Sequence, residues 1–192
     1  MPVGVEQMAT SVEQMAIEVR PLCDEDLGEL AAVAVRVHEH DGYPARLPAD
    51  ITAWLRCDRA RASWVATAGG RVVGHVSRAV AEGDGAVDVW CRATGRPAHE
   101  LSVVKRLFVD PSAQGRGTGV MLLAAVVADA HRLGLQPVLD VDARSRRARR
   151  LYEEAGFDYV GDVELPWGCP GVFLAACYVG PPARRPNAEG ET

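Results

Sequence analysis

The sequence predicts a mixed α/β fold in which one sheet carries both antiparallel and parallel strands. Three stretches point to it: a hairpin pattern over residues 63–76, a strand, helix and strand in succession over 101–141, and a helix followed by two strands over 145–179. The order ββ, βαβ, αββ provides a single parallel crossover, so a doubly wound parallel sheet is not expected.

Residues 17–20 alternate like a strand that Pro21 stops. Asp24 is placed to cap a helix whose apolar residues Leu27, Leu30, Ala34 and Val37 recur at helical spacing. A turn at 40–44 leads to a short helix from about Asp50 through Leu55. Residues 63–67, the pair Gly69-Gly70 and residues 71–76 make the hairpin. Residues 82–97 show little pattern and read as a long loop. The strongest strand, 101–109, ends at Asp110-Pro111, and from Gly117 the set Val120, Leu123, Ala124 and Val127 marks a helix that Gly134 stops. Strand 137–141, a helix over 145–155 ended by Gly156, and strands 157–164 and 172–179 complete the order.

At 192 residues the chain is of one-domain size, and its formal charge of −5 argues against a general nucleic-acid or anionic-membrane binder. No apolar run reaches the roughly 18 residues that a membrane helix needs. The five cysteines, Cys23, Cys57, Cys91, Cys169 and Cys177, are scattered without a C-x-x-C pair, which fits neither a disulfide framework nor a zinc site. No metal is expected, and the start of the chain shows no secretory signal, so the expected compartment is the cytoplasm. Residues 1–16, with Val-Glu-Gln-Met-Ala twice at an offset of seven, read as a disordered extension; 17–180 form the domain, and the proline-rich 181–192 a disordered tail.

The informative segment is Leu107-Phe-Val-Asp-Pro-Ser-Ala-Gln-Gly-Arg-Gly-Thr-Gly-Val120, a strand, a glycine-rich loop and a helix in succession. Such a loop converges backbone N–H groups at the positive end of a helix dipole, and phosphate or pyrophosphate is its natural guest. The P-loop pattern fails for want of Lys-Ser or Lys-Thr. The dinucleotide pattern G-x-G-x-x-G fails because Val120 or Leu122 occupies its last position. Asp140, about twenty residues on at a strand end, is the one feature that favours a dinucleotide-binding oxidoreductase.

The loop does fit Q/R-x-x-G-x-G/A with Gln114, Gly117 and Gly119, and Arg149-Arg-Leu-Tyr-Glu-Glu-Ala-Gly-Phe157 follows at the right separation. In these two motifs the chain resembles the GCN5-related N-acetyltransferase (GNAT) superfamily. The resemblance implies a mostly antiparallel sheet with a central, splayed parallel pair flanked by about four helices. It further implies an acetyl-CoA-dependent enzyme that transfers the acetyl group to a primary amine, small molecule or protein, by direct attack on the thioester. Carried over, the amides of Gly115, Arg116, Gly117, Thr118 and Gly119 beside Gln114 would hold the pyrophosphate, with a hydroxyl contact from Thr118. Leu107, Phe108 and Val109 would line the pantetheine, and Tyr152 would be the general acid on the departing thiolate.

Two positions depart from that pattern. Ser145 stands where the family often has Asn, seven residues before the tyrosine, and can cap the helix or meet the pantetheine. Val103 stands where several members carry a glutamate base. Glu100, His75, Asp88 and His99 are the substitutes considered, Glu100 being the candidate base. Tyr43 and His75 are candidate acceptor-site residues, with His40 and Asp41 beside Tyr43, and Trp90 is a candidate lid. The five arginines of residues 144–150 read as a solvated helix face with one or two available to phosphate. The alternative function is a non-catalytic acyl-CoA-binding module, and the candidate assembly is a homodimer through the edge offered by the last strands.

Overall fold

The computed structural model describes residues 16–56, 59–166 and 171–183. The readings of residues 1–15, of Cys57 and Cys169, and of the tail from 184 onward lie outside the described residues. The chain forms two compact units: one from the chain up to Ala79 with Val104–Val126, the other from Val80–Val103 with the chain from Val127 onward.

In the first unit, β1 (Ile17–Pro21) pairs antiparallel with β2 (Ala60–Ala68), Ile17 opposite Ala68 and Pro21 opposite Trp64. β2 turns back into β3 (Arg71–Val80) through Gly69 and Gly70 at φ 57° and 79°. A two-residue hairpin with positive φ at both positions matches strand twist and selects glycine. Between β1 and β2 lie a 3-10 turn at Asp24–Asp26, α1 (Leu27–Asp41) and α2 (Ile51–Arg56). The capping expectation for Asp24 is corrected. It is Asp26 that accepts the Cys23 amide, at 2.9 Å, while Asp24 takes the Arg56 guanidinium at 3.0 Å. The chain enters α1 through a 3-10 turn, which moves the reciprocal carboxylate two residues on. The bidentate Arg20 fork, at 2.7 Å on both oxygens, holds the Asp26 carboxyl well below the usual carboxylate range.

The apolar stripe of α1, Leu27, Leu30, Val33, Ala34 and Val37, packs with Leu55, Val65, Val72 and Phe108 into one core. Spacings of three and four residues put those side chains on one helix face, as the sequence pattern requires.

The second unit contains α3 (Val87–Thr94), the start of β4 (Leu101–Val109), the end of α4 (Thr118–Arg132), β5 (Gln136–Asp142), α5 (Arg146–Glu154), β6 (Asp158–Pro166) and β7 (Val172–Val179). The long loop expected over 82–97 is corrected, since α3 lies inside it. It is eight residues long and ends at Gly95 with φ 67°. Val87, Trp90 and Cys91 give it one apolar side, a stretch too short for the periodicity to stand out from its glycine-bearing flanks.

Among the described residues the strands form a seven-stranded sheet in the order β1-β2-β3-β4-β5-β7-β6. β4 and β5 are parallel over three pairs, Leu101 with Gln136, Ser102 with Pro137 and Val103 with Val138. The β1–β2, β2–β3, β5–β7 and β6–β7 ladders are antiparallel. This is the mixed sheet the sequence predicts, flanked by five α-helices among the described residues where about four were expected. A single parallel pair is not the run of parallel strands that a dinucleotide half-domain requires, so Asp140 loses its context as a ribose ligand.

Candidate functional site

The glycine-rich loop is built in the first unit. β4 ends at Val109, and the buried Asp110 turns the chain: its carboxylate accepts from the Ser112 amide at 2.9 Å and hydroxyl at 2.6 Å, and from Arg36 Nε at 2.7 Å. Burial pushes the Asp110 carboxyl up, but the Ser112 bonds and the Arg36 charge outweigh it and hold the group below its ordinary value. The Gln114 side-chain amide donates to Asp41 Oδ2 at 2.6 Å and to the Val109 carbonyl at 3.1 Å, so this signature residue braces the loop against the end of α1. His40 Nδ1 lies 2.8 Å from the other oxygen of Asp41.

Gly115 and Gly117 stand at φ 74° and 78°, a backbone region that disfavours every residue with a Cβ. A Cβ added at either would meet nothing within 4 Å, so it is the conformation, and not crowding by the chain, that requires glycine here. α4 follows at once, its first backbone bond running from Met121 N to Gly117 O at 3.0 Å. The opening amides of a helix have no partner within it and carry the positive end of its dipole. The arrangement fits a pyrophosphate: open space over the loop, donors at a helix start, and a turn fixed from below by Asp110. The expected hydroxyl contact from Thr118 is corrected. That side chain is 1% exposed and its hydroxyl donates to Ala113 O at 2.8 Å, closing the loop from inside.

Beside the loop, the same unit holds a cluster of rings: Tyr43, Trp54 and Phe108 with centroids 6.0–6.3 Å apart, and His75 at 5.4 Å from Phe108. His75, a candidate base and acceptor-site residue in the sequence, is fully buried. Its Nδ1 lies 2.9 Å from the Arg106 carbonyl, which can only accept, so Nδ1 carries the proton; Nε2 then accepts from the Ser77 hydroxyl at 3.2 Å. Ser63 Oγ extends the chain at 2.9 Å from Ser77. Burial, with the nearby Arg106 charge, pushes the imidazole down to about 4 even though the carbonyl favours the protonated ring. His75 is a neutral packing residue with both nitrogens committed to protein partners, which corrects its reading as an acceptor contact. Sequence reasoning passed over Arg106, which has φ 55° and its guanidinium carbon 4.8 Å from the Trp54 ring centroid.

Leu107 is half-buried, Val109 likewise, and Phe108 is 4% exposed with its ring in the core. Gly74 on β3 would place a Cβ 3.0 Å from the Phe108 carbonyl, so β3 approaches β4 there closely enough to need glycine.

In the second unit, Tyr152 on α5 is 8% exposed, its ring 6.0 Å from Phe157 and 6.2 Å from Tyr178. Tyr178, fully buried, takes the Arg149 Nε at 2.9 Å and donates to Glu153 at 2.8 Å, which fixes the face of α5 that carries Tyr152. Ser145 stands at the N-cap of α5 but makes no side-chain cap bond, correcting the capping expectation. Arg144, Arg146, Arg147 and Arg150 are exposed, in keeping with a solvated face. Glu100 pairs with Arg96 at 3.3 Å as a half-buried i,i+4 ion pair. Val103 is fully buried and carries no carboxylate, and the neighbouring Ser102 hydroxyl is buried without a hydrogen-bond partner among the described residues. Trp90 is fully buried with its Nε1 donating to the Leu139 carbonyl at 3.2 Å, so the lid reading is corrected: the ring is core of this unit. Asp88 and His99 are exposed. Among the described residues no three His, Cys, Asp or Glu side chains gather as a metal site.

Residues 24–157 match the Acetyltransferase (GNAT) family. The chain belongs to this family. This GNAT chain is 37% identical over 92 residues to the mycothiol acetyltransferase of Beutenbergia cavernae, covering 46% of the chain and 30% of that protein. It is 30% identical over 146 residues to the mycothiol acetyltransferase of Propionibacterium freudenreichii, covering 71% of the chain and 41% of that protein. It thus spans less than half the length of these curated relatives. Its fold is that of the ribosomal-protein-S18-alanine N-acetyltransferase from Escherichia coli, with TM-score 0.63 at 16% identity over 92% of this chain and 100% of that one. Arabidopsis thaliana NAA60 in complex with acetyl-CoA superposes with TM-score 0.64 at 21% identity over 85% and 97% of the two chains.

Proposed function

We propose that this GNAT chain is an acetyl-CoA-dependent N-acetyltransferase acting on a primary amine, its acetyltransferase domain spanning residues 17–180. The observation that carries the reading is the loop at 114–119, two left-handed glycines opening onto a helix and pinned by Asp110 and Gln114. Acetyl-CoA supplies an activated acetyl thioester. The amides of Gly115 to Gly119 bind its pyrophosphate, and the backbone of residues 107–109 aligns the pantetheine as an added strand would. Tyr152 delivers a proton to the thiolate as the amine nitrogen bonds to the acetyl carbon and the carbon–sulfur bond breaks. That is modest work, since a thiol of pKa near 8.5 is already a fair leaving group. Changing Tyr152 to Phe is therefore expected to lower kcat about 10- to 100-fold while the acetyl-CoA dissociation constant stays within twofold. A kcat unchanged by that substitution removes the tyrosine from the chemistry.

The amine's own proton leaves to water or to a base that Val103 does not provide, and the same absence supports the second reading, an acyl-CoA-binding module without turnover. Thiol release across a panel of primary amines separates them, because the module binds acetyl-CoA and releases none. Cys23 and Cys91, neither of them in a disulfide among the described residues, support a cytoplasmic setting. β6 is the outer strand of the sheet and, with Tyr159 49% exposed on it, supports a homodimer; a monomeric mass by light scattering at working concentration counts against that assembly.

A further inference from the structure

Arg106 has the marks of a residue held ready for an anion that the chain itself does not supply. Among the described residues it is the one non-glycine at positive φ, in the middle of β4. An L-residue pays for that conformation, and it persists because its surroundings enforce it. The enforcing bond is visible: the buried imidazole of His75 donates to the Arg106 carbonyl at 2.9 Å and is itself tied to Ser77. The guanidinium lies over the Trp54 face, its carbon 4.8 Å from the ring centroid, and its Nη1 is buried with no hydrogen-bond partner among the described residues. A buried, unanswered N–H on a fixed cation is costly, and native proteins rarely keep one without a use.

Four acids of the same unit are already engaged with other arginines. Asp24 pairs with Arg56, Asp26 with Arg20, Glu29 with Arg71, and Asp110 with Arg36. Asp41 is held by Gln114 and His40. His75, bonded to the Arg106 carbonyl, is neutral and competes for no anion. The rings of Tyr43, Trp54 and Phe108 complete a shelf whose Tyr43 end is 38% exposed. One guanidinium offers a planar fork that matches a carboxylate, and a lone cation suits a monoanion better than a phosphate dianion.

We propose that Arg106, stacked on Trp54, binds a carboxylate of the acceptor, so that the acceptor is an amine carrying a carboxylate, such as an amino acid or a peptide with a free C-terminus. This rests on the acetyltransferase reading and narrows its substrate class.

The test uses the full chain with acetyl-CoA, following thiol release from L-amino acids and dipeptides and from their matched C-terminal carboxamides. Wild type is expected to prefer the acids at least tenfold in kcat/KM. Arg106→Gln is expected to bring that ratio to about one through KM, and Arg106→Lys to an intermediate value. Equal use of acids and amides by wild type overturns the proposal whatever the variants do. A loss of acetyl-CoA affinity in Arg106→Gln equal to its loss of turnover also overturns it, because Arg106 then serves the coenzyme. Should the chain bind no acetyl-CoA, the acetyltransferase reading fails by itself, and tryptophan fluorescence titrations with N-acetylglycine and N-acetylglycinamide still decide the carboxylate site. A response to the acid alone, lost in Arg106→Gln, supports it, and no discrimination between the two probes overturns it.

Discussion

Gly117→Glu is expected to weaken acetyl-CoA binding at least 100-fold, which corresponds to about 2.7 kcal/mol. Two effects add. Gly117 stands at φ 78°, where an L-residue costs about 1–2 kcal/mol, so the loop relaxes away from the shape that converges its amides. A carboxylate also enters space that is open above the loop and meets the pyrophosphate there, a like-charge contact of several kcal/mol at about 4 Å before solvent screening. Gly117→Ala separates the two: with no neighbour within 4 Å of the new Cβ, only the backbone cost remains, and a loss of about tenfold is expected. Calorimetric titration of both variants checks this. Wild-type affinity in Gly117→Glu takes the pyrophosphate away from this loop.

His75 is expected to make stability fall as the pH drops from about 6.5 to about 4. Its folded-state pKa, pushed down to about 4 by burial, lies below the ordinary 6.5 of the unfolded chain. As pH falls through 6.5 the unfolded state takes up the proton first, so unfolding is favoured progressively until the folded imidazole also protonates near 4. Each unit of difference is worth 1.36 kcal/mol, giving a loss of about 2–3 kcal/mol between pH 7 and pH 4.5. The depressed carboxylates Asp26, Asp110 and Asp142 act in the same direction but in a more acid window, below their unfolded values near 4. Urea unfolding at the two pH values measures the loss. His75→Gln, which can still donate to the Arg106 carbonyl, is expected to abolish most of it; the same loss in that variant assigns the proton uptake to another group.

The parts of this molecule legible in the sequence are those fixed by local chemistry. Strand β4 shows its full length because the apolar residues Leu101, Val103, Val104, Leu107, Phe108 and Val109 dominate it up to the Asp110-Pro111 stop. The loop shows itself because left-handed backbone at 115 and 117 admits glycine and little else. Helix α1 shows its stripe but hides its start, since Asp24 and Asp26 are equivalent as letters and only the 3-10 turn decides which carboxylate faces the Cys23 amide. Helix α3 is hidden by its shortness. Arg106 is harder still: its orphaned Nη1 and positive φ arise where α2, β3 and β4 come together, through Trp54 and His75, and no spacing along the chain encodes that meeting. Trp90 misled for the same reason, because its partner Leu139 lies on a distant strand.

Titration calorimetry of the unmodified chain with acetyl-CoA, with NAD as the control ligand, tests the coenzyme assignment on which the proposed activity depends. Saturable binding at micromolar affinity, with no heat from NAD, is the expected result. Absence of acetyl-CoA binding by the folded protein, or equal binding of NAD, contradicts it and removes the acetyltransferase reading with it.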